Sequence, residues 1–340
     1  MVHFDHGFYW LRPRTTFAGN EERELIMTAQ TTMLEKIKAK INASDGIDQG
    51  KKSQFGKRID KVTANKLNIL CLSQSAGTKK ATLSALFPGM PIEAENRNIV
   101  PCTMNHLTVW DCPTWQSDEQ ISTSLLAELG ALMDERDEND EPLIDLVLLL
   151  ADGSKNQSYA GFQMLCDHLI SLRDKDAADQ MVIGINYADH QQSINDNPLM
   201  AAVGSRDASL WPQPVHTIIQ KSVALRHGIQ SEAVEFEAGE SFTTPTNLLD
   251  LLRAMFVALP TEKGLVMLNQ SVAFPANYWS YNTRLSDHLV AIENAFFDYI
   301  WDKSFDGCRL DGKLGAFVGD NGEELGEILQ TAVCQYLAVR

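Results

Sequence analysis

The sequence predicts an α/β fold built on a mainly parallel sheet with flanking helices. Two observations carry that prediction. The runs 67–72 and 144–150 are apolar on both alternating faces, which suits strands covered by helices on either side. Such runs also alternate with longer amphipathic stretches, a β-then-α rhythm that implies crossover helices between parallel neighbours. The 340 residues, 44% hydrophobic and 22% charged, supply enough apolar material for one to three domains.

In chain order, Ile26, Leu34, Ile37 and Ile41 stand near helical spacing among Glu and Lys, predicting an amphipathic helix over 21–43. Residues 44–66 turn polar: Lys51, Lys52, Lys57, Arg58, Lys61 and Lys66 are opposed only by Asp60, and the stretch reads as a solvated basic linker, with docking to an acidic lipid or nucleic acid as the alternative. Strands are expected at 67–72, 107–110, 144–151 and 181–185. Helical stretches are expected at 79–87, 121–133 and 159–172. Between the second helix and its strand, residues 134–141 hold six acids and one Arg, which predicts a solvated connector.

Beyond Pro260 the pattern becomes helical. Leu285, Leu289, Ile292, Phe296, Phe297 and Ile300 recur at near-helical intervals and predict a strong apolar face. Gly312, Gly315, Gly319, Gly322 and Gly326 would line one side of a helix packed closely on a neighbour. The expected division is therefore 1–64, an N-terminal helical segment and basic linker; 65–262, the α/β domain; and 263–340, a C-terminal helical region.

Charge and composition exclude several function classes. A formal net charge of −16 disfavours binding of nucleic acid by the surface at large. The first ten residues lack the cationic start of a secretion signal and no stretch is apolar enough to span a bilayer, so a cytoplasmic location is expected. Six dispersed cysteines without a C-x-x-C pair are expected to be reduced and mostly buried. Scattered histidines and the lack of a calcium-loop or H-E-x-x-H pattern leave metal hydrolysis unsupported.

In such sheets ligands gather at the carboxyl ends of the strands. The first strand leads into Ser73-Gln74-Ser75-Ala76-Gly77-Thr78-Lys79-Lys80 and then a helix, the context of a phosphate loop. A working loop of type G-x-x-x-x-G-K-[ST] uses glycines so that backbone N–H groups can curl around phosphate. Its lysine holds phosphate oxygens and its hydroxyl ligates magnesium. With Lys79 in register, Ser73 and Thr78 replace the glycines and Lys80 replaces the hydroxyl. Asp111-Cys112-Pro113-Thr114 follows the strand ending in Trp110, where D-x-x-G would stand with Thr114 in place of glycine. Asn186-Tyr187-Ala188-Asp189 follows the strand ending in Ile185, where N-[KQ]-x-D would stand, and its Asn and Asp are an intact base-reading pair.

Together these placements resemble the translation-factor-type P-loop GTPases, and among them the bacterial Era-like group of ribosome-binding (50S) and dynamin-related GTPases, over roughly 65–262. The resemblance implies guanine reading by Asp189, with Asn186 orienting the loop. It also implies a backbone N–H at Ala238 for the base oxygen, in 234–238 where Glu237 replaces a serine, and magnesium held through water by Asp111. Thr103 is the nearest counterpart of the family's switch threonine. The nucleotide-binding candidates are Ser73, Gly77, Thr78, Lys79, Lys80, Asp111, Asn186, Asp189 and Ala238, with no catalytic or metal-ligating residue assigned. GDP or GTP, with or without magnesium, is the implied ligand.

The losses at Ser73, Thr78, Lys80 and Thr114 oppose rapid hydrolysis, because in-line attack needs a positioned water and metal as well as charge. A pseudo-GTPase serving recognition or assembly control is the first reading, a slow GTP hydrolase switch the second, and an unrelated α/β protein the third. A protein partner or a second copy is expected to dock through the helical flanks. A peripheral membrane contact is a weaker alternative, and nucleic acid is disfavoured.

Overall fold

A computed structural model describes residues 33–87, 89–92, 97–114, 122–152, 160–172, 180–186, 233–238, 247–270, 285–296 and short stretches between 299 and 331. All belong to one compact unit, Met33–Arg340. Helices α1 (Met33–Ala43) and α2 (Gln49–Ala64) lead into β1 (Leu67–Ser73) and α3 (Ala76–Leu86). Then come β2 (Val100–Met104), β3 (Leu107–Asp111), α4 (Thr123–Asp134), β4 (Leu146–Asp152), α5 (Ala160–Ser171), β5 (Met181–Asn186) and β6 (Ala233–Phe236). Helices α6 (Leu248–Ala258), α7 (Thr261–Gln270) and α8 (Leu285–Phe296) follow, and a short hairpin pairs β7 (Arg309–Leu310) with β8 (Phe317–Val318).

The sheet order is β2-β3-β1-β4-β5-β6, parallel except where β2 runs against β3. This is the mainly parallel, helix-flanked α/β architecture the sequence predicts. Strands β1, β4 and β5 are buried along their whole length, which is why their sequences read as continuous apolar runs. Alternate residues serve different layers. Leu67, Ile69 and Cys71 of β1 and Leu146, Leu148 and Leu150 of β4 share a core with α1, α2, α3, α6, α7 and α8. Leu70, Leu72, Val147, Leu149 and Ile183 pack instead with Leu129 of α4 and Leu165 of α5.

Two expectations are corrected. Residues 44–66 contain a four-turn helix rather than a linker: Asp48 caps α2 by accepting from the amides of Gly50 (2.7 Å) and Lys51 (3.0 Å). Its Phe55, Ile59 and Val62, at i, i+4 and i+7, are fully buried in the shared core. The glycine-rich stretch after residue 308 is not one helix, because β7 and β8 pair across it. Phe297 and four of the five glycines lie outside the described residues, as does the expected helix before Met33, whereas Ile292, Phe296 and Ile300 are fully buried.

No helix among the described residues is long and apolar enough to cross a membrane. Cys71, Cys102, Cys112 and Cys166 are buried thiols outside any disulfide, as expected, while Cys308 and Cys334 are outside the described residues.

Candidate functional site

The carboxyl ends of β1, β3, β4 and β5 meet at one edge of the sheet, where the direction of crossover reverses between β1 and β4. Immediately after β1 the chain folds back on itself. The Ser73 hydroxyl donates to the Ser75 carbonyl at 2.9 Å and accepts from the Ser75 amide at 3.3 Å. Ser75 then caps α3, its hydroxyl accepting from the Thr78 amide at 3.3 Å, so the helix begins at Ala76. A phosphate cradle needs successive N–H groups turned inward by alternating right- and left-handed residues. Among the described residues only Asn105, Asp140, Asn247 and Gly89 have positive φ, so nothing from Ser73 to Lys80 makes that turn. The absence of glycine at 73 and 78 is its sequence cause.

Lys79 is fully buried and its charge is already matched. Its Nζ forms an ion pair with the equally buried Asp111, the last residue of β3, and donates to the Cys112 carbonyl at 2.7 Å. Lys79 reaches both because β1 pairs with β3, Cys71 lying opposite Asp111. The two residues expected to touch phosphate and magnesium thus neutralise one another. Lys80 is exposed, while Thr78 is buried and its carbonyl accepts from the Thr82 hydroxyl at 2.8 Å. Gly77 is exposed at the first turn of α3. The neighbouring thiols of Cys71 and Cys112 are pushed up chiefly by burial, Lys79 opposing, which makes them poor nucleophiles. Thr103 stands on the edge strand β2, its hydroxyl 3.2 Å from that of Thr108.

On the other side of the switch point, Asn186 ends β5 opposite Asp152, which ends β4. Asn186 Oδ1 accepts from the Ala238 amide at 3.2 Å, so the amide expected to meet a base oxygen is held by asparagine. Asn186 Nδ2 is buried with no hydrogen-bond partner among the described residues. Gln74, unrecognised in the sequence, bridges the crevice: its amide donates to the Leu150 carbonyl at 3.1 Å and its Oε1 accepts from the Asp152 amide at 3.2 Å. Its Nε2 is a second buried donor without a partner among the described residues. Both Gln74 and Asp152 carried a legible signal, a polar residue within two positions of the end of a buried apolar run. Asp189 lies outside the described residues.

Ser73, Lys79 and Asp111 on one side, and Asn186 and Ala238 on the other, are therefore set at the strand ends as the sequence placed them. Lys79 pairs with Asp111 and Asn186 with the Ala238 amide, while Ser73 bonds to Ser75. No group of three or more His, Cys, Asp or Glu suited to a metal occurs among the described residues.

No protein-family model matches the chain, and no curated protein does. A solved structure does. LeoA, a bacterial dynamin GTPase from ETEC, is similar over 73% of this chain at 13% identity and a TM-score of 0.38. The match covers 45% of the LeoA chain, so the present protein spans less than half of that structure.

Proposed function

We propose that the chain is a pseudo-GTPase, a GTPase-like fold whose phosphate loop no longer supports hydrolysis and which serves recognition or assembly control. The observation that carries this reading is Lys79, fully buried, ion-paired with Asp111 and donating to the Cys112 carbonyl. To grip a triphosphate it would have to leave a buried ion pair whose disruption costs about 3–5 kcal/mol. The loop offers no left-handed turn to repay that cost. On this reading the protein works in the cytoplasm and binds a protein partner through its helical flanks.

A second reading, a slow guanine-nucleotide switch, is favoured by one observation: the buried and unpartnered Nδ2 of Asn186 beside the intact Asn186–Ala238 link. Buried donors rarely go unpaired, and a bound base or a rebuilt loop would supply an acceptor. Calorimetry separates the two readings. Nucleotide-stripped protein is titrated with GDP and GTP, with and without magnesium, against ATP and an Asp189→Asn variant. The pseudo-GTPase reading expects no magnesium-dependent GTP binding and no turnover. Guanine-selective binding abolished by Asp189→Asn, with measurable phosphate release, would replace it with the second.

A further inference from the structure

The charge of this protein is segregated. Residues 33–66 carry nine Lys and Arg against four Asp and Glu, a local +5, so the rest of the chain carries −21 of the net −16. Helix α2 concentrates the positive part. Its Phe55, Ile59 and Val62 are buried, and its exposed side presents Lys57 and Lys61 one turn apart, with Arg58 half-buried beside them. Like charges at i and i+4 repel. The nearby acids are engaged elsewhere, Asp60 with Lys38 and Asp48 as the helix cap.

A strongly negative patch lies near the C-terminal end of α2. Asp134, Glu135, Glu138, Asp140 and Glu141 are exposed in the connector between α4 and β4. Lys66, two residues beyond α2, reaches Glu138 at 3.5 Å and so brings the connector to the end of the helix that carries the ridge. Adjacent patches of opposite sign are self-complementary about a two-fold axis, because the ridge of each copy then meets the connector of the other.

We infer that the Lys57–Lys61 ridge and the 134–141 connector form an isologous, salt-dependent interface between two copies of this chain. A flat anionic surface such as a phospholipid bilayer is the poorer occupant: it would attract the ridge and repel five neighbouring acids at once. A second copy satisfies both patches. The inference is independent of whether nucleotide binds.

The test is sedimentation of the full chain at low and high salt. The wild type associates to a dimer at about 50 mM NaCl, and its dissociation constant rises at least about tenfold at 0.5 M, where the Debye length shrinks to roughly 4 Å. Lys57→Glu/Lys61→Glu and Glu135→Lys/Asp140→Lys each weaken the dimer by a similar factor while keeping the wild-type melting curve. Mixing the two variants restores a dimer, since each now complements the other. A wild type that stays monomeric at low salt overturns the inference, as does a dimer indifferent to both reversals or a mixture that fails to associate. Binding of the wild type to phosphatidylserine vesicles that Lys57→Glu/Lys61→Glu abolishes, without a dimer, would assign the ridge to lipid instead.

Discussion

Lys79→Met separates a structural lysine from a phosphate-binding one. In a working phosphate loop the ammonium faces a ligand, so its loss removes nucleotide affinity and costs the empty protein little. Here both Lys79 and Asp111 are fully buried and paired, so Lys79→Met strands a carboxylate in the core. Breaking such a pair costs about 3–5 kcal/mol. At about 2–4 °C per kcal/mol for a domain of this size, the melting temperature falls by roughly 6–20 °C. Asp111→Leu alone is expected to cost as much, by stranding the ammonium. The double variant recovers most of the loss, because replacing a buried pair with apolar groups is close to neutral. Urea denaturation of the four proteins completes the cycle. A loss below about 1 kcal/mol for Lys79→Met, the range of an exposed pair, would refute the buried-pair argument.

Four further outcomes are expected. Gly184→Ala on β5 places a Cβ 2.9 Å from Phe236 Cε1 and 3.0 Å from Leu150 Cδ2, an overpacking cost of about 1–3 kcal/mol readable by denaturant midpoint. Phe55→Ala removes the ring 5.9 Å from Phe296 that ties α2 to α8 and costs about 3–5 kcal/mol in the same assay. Burial raises the Asp145 carboxyl above its ordinary 3.8, with Lys263 at 3.1 Å opposing. The native state then holds the proton longer than the unfolded chain, so this group's stabilisation is lost as pH rises from about 4 through its raised value, and the stability of Asp145→Asn relative to wild type should climb across that window. Cys71, Cys112 and Cys166, all raised by burial, should resist alkylation in native buffer and react fully in denaturant, as followed by intact mass.

The sheet was legible because β1, β4 and β5 are buried on both faces and read as unbroken apolar runs. Strand β2 was not, since it is a half-exposed edge strand containing Pro101. Helix α2 was hidden by its composition. Only Phe55, Ile59 and Val62 mark its buried stripe among six Lys and Arg between 51 and 66, although their spacing was readable. At the site, the positions of Lys79, Asp111 and Asn186 followed from where each strand ends. That Lys79 and Asp111 cancel each other did not follow, because their meeting depends on β1 pairing with β3 across the sheet. Spacing along a chain gives no such adjacency.

The helical hairpin α1–α2 has a consequence for synthesis. Leu34, Ile37, Phe55 and Ile59 bury against a core that includes Leu265 and Val266 of α7 and Phe296 of α8, and the Ser44 hydroxyl bonds to Glu324, 280 positions away. Helix α7 begins roughly 200 residues after α2 has been made. At about 5–20 residues per second, the hairpin's apolar stripe waits about 10–40 s for its partners. During that interval it is an amphipathic basic element without a home, the part of the nascent chain on which a holding chaperone would act.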